Sequence, residues 1–356
     1  MTTLNTRPLK GQSLEELRDF FTRQGMPGYR GEQLFRWIYQ KQATSFEEIT
    51  TLSKELRRDL SASESLERGT VVHQTSRHPE QTVKFLIRLA DDRQVESVYI
   101  PSDDRVTICV SSQVGCALDC DFCATGKMGF QRHLDAGEIF EQYRILQQFS
   151  PRPITNIVFM GMGEPFNNYH EVLRAADLFH HELGPHISRH RITISTAGVV
   201  PKIRQFTRED RPYKLAISLN ATRDDLREAL MPLNRRWPLQ ELLQAARQYT
   251  DRSGDRITFE YVLLEGYSDS PEDARRLIRL LGELRCKVNV IPFNEIGYKY
   301  SRPSDQRMEA FMQALQPAPF PVTVRWSRGQ DISAACGQLR TELENTPEPE
   351  IPSSSG

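Results

Sequence analysis

Three cysteines, Cys116, Cys120 and Cys123, fall within eight positions of the stretch GCALDCDFCATGKMGF. Their spacing is C-x₃-C-x₂-C, with Gly115 and Gly126 as turn signals on either side. The whole chain has six cysteines, so half of them sit in one loop. Thiolates so grouped can hold metal. A structural zinc site calls for four ligands, commonly as two pairs, and no second C-x₂-C pair is present. The irons of iron–sulfur clusters are also held by thiolates, and three ligands on a four-iron cubane leave one iron open to something else. A single cysteine is most often a small buried hydrophobe, which is the reading for Cys286. Cys109, seven residues before Cys116 in CVSSQVGC, and Cys336, in DISAACGQL, stand apart as two more thiols.

These residues need elements to position them. The chain has 356 residues, 38% of them hydrophobic, enough for one large domain and a small one. The N-terminus has no apolar run of the signal-peptide kind, and no stretch approaches the roughly 18 consecutive apolar residues of a membrane span. A cytoplasmic protein without membrane contact is therefore expected. Stable disulfides are rare in that compartment, so metal ligation or thiol chemistry is the better reading of the cysteines. The net charge of −1 does not announce a nucleic-acid binder. Any polyanion contact must be local. Arg189, Arg191, Lys202, Arg204, Arg208, Arg211 and Lys214 face only Glu209 and Asp210 within residues 184–214, which is either a solvated face or such a patch.

Residues 13–60 read as helical, with capping-box spacing at Ser13–Glu16 and Ser45–Glu48. From residue 70 to 100 the pattern changes to period two and β-branched runs. Strand-like runs then alternate with helical ones: TICVSS, TNIVFMG, RITISTAG, KLAISLN, ITFEYVLL, KVNVIPFN and PVTVRW, with helices expected at 136–149, 171–181, 239–249, 271–284 and 304–315. Such alternation implies an α/β fold with a parallel sheet. The cysteine loop follows the first of these strands, and MGMGEP, STAG, SLNA and PFNE sit at strand C-termini, the rim that carries chemistry in barrel-like α/β folds. The expected organisation is an N-terminal helical domain over 1–69, a core with a preceding β extension over 70–340, and a Pro/Ser/Glu-rich disordered tail over 341–356.

The C-x₃-C-x₂-C loop after the first strand of an α/β barrel resembles the radical S-adenosylmethionine (SAM) superfamily. The resemblance implies a partial (β/α)6-type barrel and a [4Fe-4S] cluster on Cys116, Cys120 and Cys123. It also implies that the open iron binds the amino and carboxylate groups of SAM, which one electron then cleaves to a carbon radical. GMGEP, with Gly163 and Glu164, resembles the motif that holds the SAM amino group, and Glu164 suits an ammonium. CVSSQVGCALDCDFCATGKMGF and DISAACGQL together resemble the RlmN/Cfr family of adenine methyltransferases. GMPGYRGEQLFRWIYQKQATSFEEITTLSKELR, GMGEPFNN, RITISTAGVVP, AISLNA, MPLN and NVIPFN follow in family order, so the likeness spans roughly residues 25–340.

Carbons 2 and 8 of adenine are electron-poor, so polar methylation fails there and a carbon radical succeeds. The family resemblance implies that Cys336 takes a methyl group from one SAM and that a second SAM generates a radical on it. The methylene radical adds to the ring, Glu96 removes the ring proton, and Cys109 attacks the Cys336 sulfur to release product and form a transient disulfide. Two SAM molecules are used per turnover. The resemblance also places Ser195, Ser218, Leu219, Asn220 and Asn294 around SAM; Asn220 departs from members with SLH at that point. The implied partners are 23S rRNA, tRNA and an electron donor such as flavodoxin, with a monomer expected. SSQVGCALDCDFC and MGMGEP look closer to the RlmN branch, which methylates carbon 2, than to the Cfr branch, which methylates carbon 8 and confers antibiotic resistance. Two other classes stay open at this point: a non-catalytic RNA-binding protein with structural zinc, and a radical SAM activase acting on a protein glycyl radical site.

Overall fold

The computed structural model describes residues 8–295, 299–325 and 337–339. Cys336 and the tail 341–356 lie outside the described residues. Three helices come first: α1 (Leu14–Arg23), α2 (Tyr29–Phe35) and α3 (Lys54–Ser63). The Ser13–Glu16 capping box forms as the sequence predicts, with Glu16 N–H donating to Ser13 Oγ at 3.2 Å and Ser13 N–H to Glu16 Oε2 at 2.8 Å. The Ser45–Glu48 box also forms, but it closes only a 3₁₀ turn over Phe46–Glu48. The helix that follows begins later, capped by Ser53.

The rest of the chain alternates strands and helices in the order β1 (Gly69–Gln74), β2 (Val83–Leu89), β3 (Gln94–Pro101), β4 (Val106–Cys109), β5 (Gln113–Gly115), α4 (Ala124–Lys127), β6 (Phe130–His133), α5 (Ala136–Phe149), β7 (Asn156–Phe159), α6 (Tyr169–His180), β8 (Ile192–Thr196), α7 (Val200–Arg208), β9 (Lys214–Ser218), α8 (Asp224–Leu230), α9 (Leu239–Ser253), β10 (Ile257–Leu263), α10 (Pro271–Leu281), β11 (Cys286–Pro292), α11 (Asp305–Leu315) and β12 (Val322–Val324). Ten strands form one sheet in the order β1-β2-β3-β4-β7-β8-β9-β10-β11-β12. From β4 to β12 every pairing is parallel, whereas β1 to β4 pair antiparallel. The parallel strands are largely buried, as helix-covered strands must be. This is the open, partial barrel with extra strands and a helical N-terminal portion that the sequence implies. The strand-helix repeat explains the order, since each helical crossover carries the chain back to lay the next parallel strand beside the previous one. Helices α7 and α8 lie outside the helical stretches expected from the sequence.

The N-terminal helices are fastened to α5. Lys10 is buried and donates to Leu66 O at 2.9 Å and to the Glu141 carboxylate. Arg144 pairs with the same carboxylate at 2.8 Å. Burial pushes the Lys10 ammonium below its ordinary pKa, a cost that the ion pair offsets in part. Tyr39 OH donates to Gln12 O and accepts from Gly11 N–H, while its ring meets Phe140 edge-on at 4.8 Å. Among the described residues no helix is long and apolar enough to cross a membrane.

Candidate active site

The cluster loop leaves β4 by way of the short β5–β6 hairpin. Gly115 closes that hairpin with φ +71°, and a Cβ there would lie 1.8 Å from Gly129 O. No side chain fits so close to a carbonyl that itself accepts the Cys116 N–H at 2.9 Å. Gly115→Ala is therefore expected to displace Cys116 and to lower the iron bound per chain severalfold after anaerobic reconstitution. Iron and acid-labile sulfide assays check this; wild-type loading would show that the hairpin does not set the cysteine geometry. Gly163 in GMGEP has φ +99°, and a Cβ there would strike the Gln113 side chain at 2.5 Å. That contact matters because Gln113 Oε1 accepts the Glu164 N–H at 2.7 Å, tying the second motif to the first.

Cys116, Cys120, Cys123, Gly163, Glu164, Ser195, Ser218, Asn220 and Asn294 all line one cavity at the C-terminal ends of the parallel strands. Residues far apart in sequence thus meet where the fold class predicts. Leu219 does not join them. It is fully buried and absent from the lining residues; its carbonyl instead accepts from Arg227 Nε at 3.0 Å.

Burial pushes the Cys116 thiol up to about 12 and the Cys120 thiol well above its ordinary value, with the neighbouring thiols adding to both. In the bare pocket these are neutral thiols, and metal must displace their protons to bind. Among the described residues, no three or more His, Cys, Asp or Glu side chains are arranged to hold a single metal ion. A closed tetrahedral zinc shell is thus not formed by these residues. A cubane asks for something else, one thiolate for each of three irons. Three cysteines spread around one cavity, with polar side chains opposite them, fit a cluster with a chelated ligand.

Glu164 is 3% exposed. Its carboxylate accepts from Phe166 N–H at 2.9 Å and from Ala197 N–H at 2.8 Å, one bond to each oxygen. Desolvation nevertheless dominates and pushes this carboxyl up to about 7. Asn220 adopts a left-handed backbone (φ 59°), which asparagine tolerates better than most residues. Its Oδ1 accepts from Val262 N–H at 3.1 Å and its Nδ2 donates to Met231 Sδ at 3.4 Å, so the amide is held rigidly at the cavity wall.

Two functional arrangements escaped the sequence reading. Arg227 is completely buried and donates to the carbonyls of Leu219, Ala197 and Ser218 and to Asn234 Oδ1. It binds together the C-terminal ends of β8 and β9, which carry Ser195 and Ser218. Burial pushes this guanidinium down to about 10. The same helix, α8, holds the cluster loop, since Asp121 N–H donates to Leu230 O at 2.9 Å. Glu260 and Arg325 also line the cavity. Neither stands out by local pattern.

Cys109 and Glu96 are not among the cavity-lining residues, but register places them on the same face of the sheet. Cys109 lies opposite Val158, Val158 opposite Thr193, and Ser195 is two residues on. Ser195 lies opposite Ala216, and two residues further Ser218 lies opposite Glu260. In the other direction Cys109 lies opposite Val98, two residues from Glu96, and Val98 lies opposite Lys84. Side chains two apart share a face. Glu96 is buried and paired with Lys84 at 3.0 Å, so it is not a solvent-facing strand glutamate. The chain next to Cys336 also reaches the cavity: Gly337 lines it, and Gly337 O accepts from Ala124 N–H, beside Cys123, at 2.8 Å.

The basic stretch 184–214 lies elsewhere. Arg189 and Arg191 precede β8, Arg208 ends α7, and Lys214 begins β9. All four positions are at the N-terminal rim of the parallel strands, opposite the cavity. Arg211 is partnered by Glu209 at 2.8 Å and Asp177 at 3.8 Å. The candidate RNA contact over this stretch therefore lies on the rim away from the cavity; linear charge density cannot tell one rim from the other.

Comparison with known proteins bears on the same residues. A family model described as the radical SAM superfamily matches residues 110–279, and one described as the ribosomal RNA large subunit methyltransferase N-terminal domain matches residues 8–65. The chain is 46% identical over 338 residues to the dual-specificity RNA methyltransferase RlmN of Geobacter sulfurreducens, covering 94% of this chain and 92% of that one. It is 47% identical over 346 residues to the protein of that name from an Anaeromyxobacter species, covering 94% and 90%. A radical SAM methyltransferase from Sphaerobacter thermophilus, known from its crystal structure, superposes with a TM-score of 0.91 at 45% identity. That match covers 95% of this chain and 100% of the other.

Proposed function

From the premise that the chain belongs to the RlmN family of radical SAM RNA methyltransferases, we propose that it methylates carbon 2 of adenosine in 23S rRNA and in tRNA. The observation that carries this reading is the convergence of Cys116, Cys120, Cys123 and Glu164 on one cavity at the C-terminal rim. A [4Fe-4S] cluster held there by Cys116, Cys120 and Cys123, with SAM, would supply a carbon radical. The chain's own residues do the rest. Glu164 accepts hydrogen bonds from the amino group of SAM, while Ser195, Ser218, Asn220 and Asn294 orient its polar parts.

Cys336 carries the methyl carbon that becomes bonded to the adenine ring. Glu96 takes the proton from the ring carbon as general base. The Cys109 thiolate then attacks the Cys336 sulfur, the bond from that sulfur to the product carbon breaks with its electron pair going to the carbon, which takes up a proton to become the methyl group, and a disulfide is left for an external reductant. The shared sheet face of Cys109 and Glu96, and the seat of Gly337 at the cavity, support these roles. The target adenosine must leave its stack to enter. Phe130 and Tyr267 are exposed large side chains beside this rim, and Lys299 lies over the Tyr267 and Tyr300 rings at 5.9 and 5.0 Å. Aromatic faces and a cation of this kind suit a splayed single-stranded base. An electron donor of the flavodoxin type and a monomeric enzyme complete the proposal.

The test is nucleoside mass spectrometry on unmodified 23S rRNA and tRNA treated with reconstituted protein, SAM and reductant. 2-Methyladenosine is the expected product. 8-Methyladenosine would move the chain to the Cfr-type reaction with the same cysteine roles, and neither product from fully cluster-loaded protein would defeat the assignment.

A further inference from the structure

The mouth of the barrel opposite the cavity carries a row of cations on its inner face. Ala216 of β9 lies opposite Thr258 of β10, and Thr258 lies opposite Lys287 of β11. Side chains two apart along a strand share a face, so Lys214, Arg256 and Arg285 stand in one row a step closer to the mouth. Thr193 lies opposite Lys214, and Arg191, two residues before Thr193, extends the cations onto β8. The same face carries Ser218 and Glu260 toward its other end. Arg191, Lys214, Arg256 and Arg285 are exposed, and Lys287 is half-buried.

No carboxylate balances this row. Three neighbouring arginines, Arg211, Arg247 and Arg252, are paired with Glu209, Glu283 and Asp210. Among the described residues none of the five cations of the row takes part in an ion pair. Asp255 precedes Arg256 and so falls on the other face of its strand. Burial, and then Lys214, hold the Lys287 ammonium below its ordinary pKa; Arg325 and Arg256 add to the effect and Glu260 opposes it. Like charges facing one another on neighbouring strands are destabilising. A row that the fold keeps at that cost, without a counter-charge, is suited to an anion.

The kind of anion follows from what surrounds the row. The exposed large hydrophobic side chains among the described residues are Tyr29, Val71, Val72, Phe130 and Tyr267, and none of them lies at this mouth. A protein partner calls for an apolar or aromatic centre to its interface. A nucleic-acid backbone calls only for cations that meet its phosphates, and such contacts position without reading sequence. Neighbouring strands are about 4.8 Å apart, so cations on four strands span about 14 Å, long enough to follow a stretch of backbone.

We propose that this row is a second RNA site, which holds phosphates of the substrate away from the target adenosine and contributes affinity without taking part in the chemistry. Lys214 lies four residues before Ser218, about 13 Å along β9, a separation that a folded RNA with one adenosine in the cavity can span. The inference rests on the RNA methyltransferase reading of the chain.

The experiment measures binding of unmodified full-length tRNA to cluster-loaded protein as salt rises from about 50 to about 200 mM. Each lost phosphate contact lowers the slope of log affinity against log salt by about 0.7 to 0.9. The double variant Lys214→Gln/Arg256→Gln should therefore lose about 1.5 from the slope and bind roughly 10- to 100-fold more weakly at the low-salt end. Its kcat at saturating tRNA, iron content and affinity for S-adenosylhomocysteine should stay within about twofold of wild type. Arg256→Gln alone should lose about half as much slope and carries the test should the double variant not fold, while Arg256→Lys, which keeps the charge, should retain the wild-type slope. An unchanged slope in the Gln variants, or a loss of affinity with no change of slope, would overturn the proposal. So would a double variant that binds tRNA normally and turns over with dithionite but not with reduced flavodoxin, which would give the row to an acidic protein. Wild-type protein that bound neither tRNA nor 23S rRNA would instead overturn the RNA methyltransferase reading on which the inference stands.

Discussion

Cys109→Ala protein, incubated with SAM, reductant and RNA, is expected to stop after one partial turnover with RNA bound covalently to it. The adduct should run as a nuclease-sensitive band of retarded mobility on a denaturing gel. Multiple-turnover methylation should fall by roughly 10³-fold or more, the scale on which losing a nucleophile acts. The physical reason is the leaving group. Once the ring carbon is joined to a thioether carbon on Cys336, no group short of a second thiolate can take that sulfur away, and water is too poor a nucleophile toward it. Cys109 is well placed for the task. It ends β4 on the cavity side of the sheet, six residues before the hairpin glycine that carries the cluster loop. The companion variant Cys336→Ala should give neither methylated RNA nor adduct, because the atom that bridges to RNA is gone. Adduct from Cys336→Ala would place the link elsewhere, and unimpaired turnover by Cys109→Ala would remove its release role. The two variants together also separate this chemistry from a simple radical transfer, for which neither thiol is needed.

How much of this was legible beforehand depends on the distance over which each signal acts. The cluster cysteines are a local pattern, and their spacing already excludes most alternatives. GMGEP is nearly as local, and the structure adds only the reason for Gly163, the Gln113 side chain against it. The strand–helix alternation is likewise written in short windows, so the parallel core was readable. Glu260 was not. ITFEYVLL reads as an apolar strand with one exception, and whether that exception faces helix or cavity is decided by register with β9 and β11. Arg227 was hidden for a similar reason, since DDLREAL gives no sign that its arginine is buried whole among carbonyls. The run of cations over 184–214 does not say which rim it occupies, because each strand has two ends. A charge before a strand and a charge after it look alike in sequence but lie on opposite rims. Ser45–Glu48 misled differently: the capping box is real, but a box fixes one turn, and Ile49 to Leu52 do not continue it into a helix.

Glu164→Gln is expected to weaken SAM binding by about 10- to 100-fold at pH 8, the cost of losing a hydrogen bond to a charged group, and to remove the part of the pH dependence of that binding that the carboxyl contributes. Burial raises this carboxyl from 4.5 to about 7. A folded-state pKa above the unfolded one means that the contribution to stability is whole below about 4.5 and is lost as pH rises through about 7. The interval corresponds to about 3 kcal/mol at about 1.36 kcal/mol per pH unit. Wild type without cluster or ligand should therefore lose thermal stability between pH 5.5 and 8 relative to Glu164→Gln, whose amide does not titrate.

SAM reverses the sign. Its amino group donates to the ionised carboxylate, so binding draws on the form that the empty pocket disfavours. Equilibrium dialysis should find wild-type affinity about tenfold weaker at pH 6 than at pH 8, following the ionised fraction of a group near 7. The SAM amino group also titrates in this region, which is why the Gln variant is needed: any slope that survives in it belongs to the ligand. The variant also carries a structural cost, because one amide oxygen cannot accept from both Phe166 N–H and Ala197 N–H, and its melting temperature should be lower at acid pH. An equal pH slope in wild type and variant would show that Glu164 holds the loop together without meeting the ligand. A slope confined to wild type would make the same buried carboxylate both the clamp between β8 and the GMGEP turn and the acceptor for SAM.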